Sequence, residues 1–153
     1  MELSVIGLGK LGLCTAACFA RQGFPVWGFD SNPRVMTGLE AGRVPISENG
    51  LEQVLADGGW ERLHLAANTS EAVRRSAATF VIVPTPSLPG GELDNGYVEP
   101  VLEEIGSALA AKNNHHVVCI VSTVMPGSCS GRFLPLLEKT SGQTCGQGFG
   151  LVY

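Results

Sequence analysis

The sequence predicts an α/β fold: a doubly wound, mostly parallel six-stranded sheet built as a single domain over residues 1–153. Three observations predict it. Strand-like and helix-like segments alternate from one end of the chain to the other, the pattern of βαβ units. Hydrophobic residues make up 44% of the chain and charged residues 16%, as expected of strands buried on both faces. A glycine loop, Gly7 to Gly12, separates the first strand from the first helix.

Each element follows from local chemistry. Leu3 to Ile6 reads as a short apolar strand, followed after the glycine loop by an apolar-periodic helix from Leu11 to Arg21 that Gly23 stops. Pro25 to Asp30 is the second strand. Ser31 or Asn32 caps a helix with Pro33 in its first turn, and Gly42 ends it. A Pro- and Gly-bearing stretch, Arg43 to Gly50, leads to a short helix from Leu51 to Ala56 and a third strand over Leu63 to Ala66. Thr69 or Ser70 starts another short helix. Thr79 to Val83, β-branched and aromatic, forms the fourth strand. Pro84-Thr85-Pro86 and a turn-rich loop to Gly96 precede a helix from Tyr97 to Ala111. Val117 to Val121 is the fifth strand, Gly127 to Lys139 a helix capped by Ser128, and Phe149 to Tyr153 the sixth strand.

Composition excludes several classes. A net charge of −4 offers no basic footprint for a phosphate backbone, so no nucleic-acid partner is expected. No apolar run approaches the ~20 residues that cross a bilayer. Glu2 replaces the basic start of a secretory leader, and Lys10 and three glycines interrupt the first apolar stretch. A cytoplasmic location without membrane contact is the expectation. The apolar bias, with mean hydropathy +0.20, also suggests surface that meets a further domain. Five cysteines, Cys14, Cys18, Cys119, Cys129 and Cys145, form no Cys-x-x-Cys pair and read as small buried hydrophobes rather than metal ligands. No metal site is expected.

The glycine loop carries the chemistry. Gly7-Leu8-Gly9-Lys10-Leu11-Gly12 fits G-x-G-x-x-G, follows a strand, opens a helix and precedes Asp30, which stands 18 residues after Gly12 at the end of the next strand. Gly7 permits the tight turn, Gly9 lets main-chain amides approach a pyrophosphate, and Gly12 lets helix and strand pack closely. The helix start then offers its free N–H groups to the phosphates. This is a Rossmann-type nucleotide site. A carboxylate at Asp30 accepts from both ribose hydroxyls and repels a 2′-phosphate, favouring NAD over NADP. Arg34 lies nearby as a further candidate, although its place on a helix start directs it toward solvent.

Two more polar clusters, Val83-Pro84-Thr85-Pro86 and Ser122-Thr123, fall at the carboxyl ends of the fourth and fifth strands. In the strand order 3-2-1-4-5-6 those ends border the crevice beside the glycine loop. His64 reads as a strand residue and His115-His116 as lying before the fifth strand, opposite the crevice; neither reads as an acid or base. Glu92 and Asp94 read as solvated loop carboxylates.

These segments together resemble the UDP-glucose/GDP-mannose dehydrogenase family across essentially the whole chain. Val5 to Gly12 is similar to the family's opening, with Lys10-Leu11 where Tyr-Val is commoner. Val44-Pro45-Ile46 and Glu48-Asn49-Gly50-Leu51 resemble its Pro-Ile and Glu-Pro-Gly-Leu segment, with Asn49 in place of proline. Val83 to Pro86, Asp94 to Val98, and Ser122 to Ser128 resemble its Val-Pro-Thr-Pro, Asp-Leu-Ser-Tyr-Val and Ser-Thr-Val-Pro-Val-Gly-Thr motifs. Val35 stands where the family usually has Lys or Arg, with Arg34 one position earlier.

The resemblance implies oxidation of C6 of a nucleotide sugar from alcohol to carboxylate by two hydride transfers to NAD, through a cysteine-bound thiohemiacetal and thioester. It implies that Thr85 and Thr123 flank the nicotinamide, with Thr123 positioning active-site water or relaying a proton. It also implies that the catalytic cysteine, the sugar-binding part and the contacts of a homodimer or larger assembly belong to a further segment. This chain alone is then expected to hold NAD without oxidising a sugar. Two alternatives share the glycine loop: the cofactor domain of a β-hydroxyacid dehydrogenase, and a non-enzymatic NAD-sensing module.

Overall fold

In the computed structural model, which describes residues Met1–Tyr153, six strands form one sheet in the order β3-β2-β1-β4-β5-β6. Every pairing in it is parallel. β1 (Leu3–Ile6) is buried along its whole length because β2 and β4 flank it and helices cover both faces. α1 (Lys10–Arg21) buries a stripe of small residues, Gly12, Ala16, Ala17 and Ala20, with Leu13. Small side chains let it lie close against β1 and β2 (Val26–Phe29). Gly23, with φ +96°, ends the helix as expected.

Asn32 caps α2 (Pro33–Glu40), its side chain accepting the Arg34 amide at 3.0 Å. α3 (Leu51–Val54) opens into a wider turn over Leu55–Gly59, which breaks where Gly58 adopts φ +95° before α4 (Trp60–Arg62) and β3 (Leu63–Leu65). α5 (Thr69–Arg75) starts where the sequence places it, but its cap is Asn68, whose side chain accepts the Glu71 amide at 2.8 Å. α1 to α4 build one core layer around Val5, Val26 and Leu63. α5, α6 (Val98–Ala110) and α7 (Leu134–Ser141) build the other around Val81, Val118, Ile120 and Phe149, closing on β4 (Ala78–Val81), β5 (His116–Ile120) and β6 (Phe149–Val152).

Several expectations need correction. β4 ends at Val81, not Val83: the Val83 amide is taken by the Ser122 hydroxyl at 2.9 Å, and Pro84 has no N–H to continue a ladder. Ser128 does not cap the last helix. Its backbone is already helical (φ −58°, ψ −43°), and the first turn, Cys129–Phe133, is widened ahead of Pro135, whose ring cannot sit on the carbonyl four residues back. The cysteines are less buried than expected: Cys18 is exposed and the other four are half-buried. Burial still pushes the Cys14, Cys119 and Cys129 thiols upward, away from reactive thiolate.

His116 is the first residue of β5, fully buried, rather than part of a preceding loop. Its Nδ1 accepts from the Lys112 ammonium at 2.8 Å, which fixes Nε2–H as the donor to Thr79 Oγ1 at 2.8 Å. Thr79 in turn hydrogen-bonds Ser4 at 2.7 Å, and Ser76 reaches Ser4 at 2.8 Å. Lys112 completes its shell on the carbonyls of Val73 and Ser76. This chain of polar groups ties β1, β4, β5 and the C-terminal end of α6 together at the amino-terminal side of the sheet. Apolar side chains also remain exposed near the carboxyl ends of the strands, Val121 at 41% and Val152 at 51% among them.

Candidate functional site

The carboxyl ends of β2, β1, β4 and β5 open onto one cleft of about 740 Å³, walled on one side by the start of α1 and on the other by α5 and α6. The volume lies in the range of ligand pockets, and the position is the topological switch point of a doubly wound sheet. The chain leaving β1 turns toward β2 through α1 on one face, and the chain leaving β4 turns toward β5 through α6 on the other.

The three glycines of the loop have different reasons to be glycine. Gly7 adopts φ +93°, and a Cβ on it would overlap the Ile82 carbonyl. A Cβ on Gly12 would overlap the Gly7 carbonyl. Both are demanded by the fold. Gly9 is not: its backbone is extended (φ −68°, ψ −163°), and a Cβ there would meet nothing within 4 Å. Its missing side chain leaves open space on the cleft wall directly beside the helix start. The amides of Gly9, Lys10 and Leu11 make no hydrogen bond within the chain, and no acidic residue stands in the first turn of α1. A cradle that a side chain would fill, lined by free donors at a positive helix end, fits a diphosphate.

Asp30 stands at the rim beside this cradle. Its Oδ2 accepts the Leu8 amide at 2.7 Å and its Oδ1 the Asn32 amide at 2.8 Å. One carboxylate therefore fixes both the glycine loop and the turn after β2, and each oxygen keeps capacity for a further donor such as a ribose hydroxyl. Lys10 is 76% exposed and pairs with Glu48 at 2.5 Å, which draws the segment before α3 toward the cleft mouth. That hydrogen bond to Glu48 raises the lysine pKa.

On the far side of the cradle, Ser122 is buried and its hydroxyl is spent internally. It donates to the Val83 carbonyl at 2.7 Å and accepts the Val83 amide. It clamps the β4 exit to the β5 exit. Thr85 and Thr123 line the cleft with hydroxyls that have no partner in the chain.

All the residues expected from the sequence line this cleft except three. Leu8 is fully buried beneath the loop, its main-chain N–H donating to the Asp30 carboxylate. Arg34 is exposed and outside the cleft, and Pro86 lies just beyond it. The cleft also contains residues the sequence reading missed, among them Thr69, Tyr97 just before α6, and Pro100, Val101 and Glu104 on α6. The α6 set recurs at helical spacing beside the core stripe Val98, Leu102 and Ile105, a second face that the periodicity carried.

A doubly wound sheet with a phosphate cradle and an acid at its rim defines a dinucleotide-binding domain. The chain matches the UDP-glucose/GDP-mannose dehydrogenase family, NAD binding domain, over residues 1–153, and it belongs to that family. It is 38% identical to GDP-mannose 6-dehydrogenase of Pseudomonas aeruginosa over 99% of its own length and 35% of that protein's. A crystal structure described as a ternary complex of GDP-mannose dehydrogenase from Pseudomonas aeruginosa superposes with TM-score 0.93, at 38% identity, covering 99% of this chain and 35% of that one. A UDP-glucose dehydrogenase from Pyrobaculum islandicum superposes with TM-score 0.89, at 38% identity, covering 98% and 34%. The chain thus spans about a third of the length of the curated relatives it matches. The family is the nucleotide-sugar one, not the β-hydroxyacid group, and its cofactor is NAD.

Proposed function

We propose that residues 1–153 act as the cofactor domain of a nucleotide-sugar 6-dehydrogenase, which oxidises a sugar C6 alcohol to a carboxylate. The observation that carries this reading is the polarity of the cleft. Asp30 stands at one end, the free hydroxyls of Thr85 and Thr123 stand at the other, and the open amide cradle at Gly9 lies between them. Bound NAD supplies a two-electron acceptor, and an alcohol, one water and two NAD give a carboxylate, two NADH and three protons.

The chain's own residues prepare that exchange. The amides at the start of α1 hold the diphosphate, and Asp30 orients the adenosine ribose. The Ser122 clamp fixes the separation of the β4 and β5 exits, and so of Thr85 from Thr123. A hydroxyl that both donates and accepts suits Thr123 to position water or pass a proton at the nicotinamide end. Substrate recognition, the covalent steps on cysteine and assembly as a homodimer or larger then belong to the remaining length that the relatives have. No helix of the chain is long and apolar enough to cross a membrane; the site of action in this proposal is the cytoplasm.

The test is stoichiometric. A protein carrying this chain together with the additional length of its relatives yields two NADH per GDP-mannose or UDP-glucose consumed, whereas residues 1–153 alone bind NAD and yield none. One NADH per sugar, or turnover by residues 1–153 alone, refutes the proposal.

A further inference from the structure

We infer that Thr69 is a specificity residue for the base of the cofactor, its hydroxyl being the hydrogen-bond partner of the adenine edge. The inference rests on the NAD reading and goes beyond it by naming a contact that no glycine-loop motif contains.

Two hydroxyls on the cleft wall are buried, and they differ in one respect. That of Ser122 is satisfied on both sides by Val83. That of Thr69 is fully buried and has no partner in the chain. A buried hydroxyl without a partner is costly, and native proteins keep few of them. Thr69 is the first residue of α5, where its side chain lines the cleft instead of capping the helix; Asn68 does the capping.

Its place identifies what it meets. α5 follows β3 and packs with Ile6, Phe29 and Val101. All three line the cleft: Phe29 directly precedes Asp30, Ile6 ends β1 and Val101 lies on α6. An apolar wall with one buried hydroxyl at the start of the helix that follows β3, the strand next to β2 and its Asp30, suits a purine: apolar contact for its face and one polar contact for its edge. Leaving the hydroxyl unpaired in the free protein also gives discrimination. A ligand without a hydrogen-bonding edge would leave it unsatisfied.

The test is titration calorimetry of the chain and its Thr69→Val and Thr69→Ser forms with NAD and with ADP-ribose, which keeps the base and both ribose-phosphates but lacks nicotinamide. Thr69→Val should weaken both ligands by about 2- to 10-fold, the range of one neutral hydrogen bond. Thr69→Ser should restore wild-type affinity. The ligand-free Thr69→Val form should melt no lower than wild type, because the change removes an unsatisfied buried group. Equal NAD affinity in Thr69→Val and wild type overturns the inference while leaving the cofactor assignment standing. So does a loss confined to NAD and absent with ADP-ribose, or a loss that serine fails to repair. A wild-type chain that binds neither ligand overturns both.

Discussion

Substituting alanine at Gly9 and, separately, at Gly12 should split folding from binding. At Gly12 the new methyl overlaps the Gly7 carbonyl, a backbone atom that cannot swing aside, so either the loop or α1 must shift. Overpacking of that kind costs about 1–3 kcal/mol and more when backbone moves, against a total stability of roughly 5–15 kcal/mol. At Gly9 two small effects oppose each other. Replacing glycine where the backbone is already extended stabilises by about 0.4–1 kcal/mol through the unfolded chain. Losing glycine at a helix N-cap in favour of alanine costs a comparable amount. Folding should therefore change by under about 1 kcal/mol. Binding should not escape, because in the proposed placement the methyl occupies the open space where the diphosphate meets the amides. Losing even one hydrogen bond to a charged group costs about 1.5–3 kcal/mol, or roughly 10- to 100-fold in affinity. Urea denaturation reports the first quantity and calorimetric titration with NAD the second. Gly9→Ala binding NAD within twofold of wild type, or Gly12→Ala as stable as wild type, would refute the reasoning.

Two other perturbations test the rim and the far end of the sheet. Asp30→Ala should weaken NAD by about 10- to 100-fold, since it removes charge-assisted bonds, and should shrink the preference over NADP; unchanged selectivity in parallel titrations counts against the ribose assignment. Burial and the nearby Lys112 charge hold the His116 pKa down, at about 4 against an ordinary 6.5. The unfolded chain therefore takes up a proton that the folded chain refuses between those values. Stability should fall as pH drops through that window, by about 1.4 kcal/mol per unit and roughly 3 kcal/mol in total, relative to a His116→Asn variant whose slope lacks this component. Parallel pH–stability curves for the two proteins would exclude the coupling.

The sheet was legible in the sequence because parallel strands buried on both faces leave continuous apolar runs, and the order of glycines, acid and strand ends located the cleft. Other features were not legible, for physical reasons. The end of β4 is decided by Ser122, 39 residues away from Val83, and no local pattern reports that bond. The widened turn before Pro135 follows from a ring meeting a carbonyl one turn earlier, although its chemistry looks locally like an ordinary helix start. Arg34, near the site in sequence, is exposed and outside the cleft, as its place on a helix start already indicated. Thr69 and the α6 wall reach the cleft only through the packing of α5 on α6, a relation between helices that neither sequence contains alone.

The two ends of the sheet treat their polar groups in opposite ways, and each arrangement accounts for the other. At the carboxyl ends, the amides of Gly9 to Leu11 and the hydroxyls of Thr69, Thr85 and Thr123 are left unpaired by the chain, which a ligand site requires and a stable core avoids. At the amino-terminal side, Lys112, His116, Thr79, Ser4 and Ser76 satisfy one another across three strands and a helix end. A connected polar chain of this kind specifies register, because a slip of one residue would carry Ser4, Thr79 or His116 to the other face of the sheet and leave its partners unsatisfied. The register that brings Ser4 opposite Thr79 also brings Ile6 opposite Val81, and so sets the heights at which the glycine loop and the β4 exit leave the sheet. The unpaired groups of the cleft are thus held open at one end by groups that are fully paired at the other.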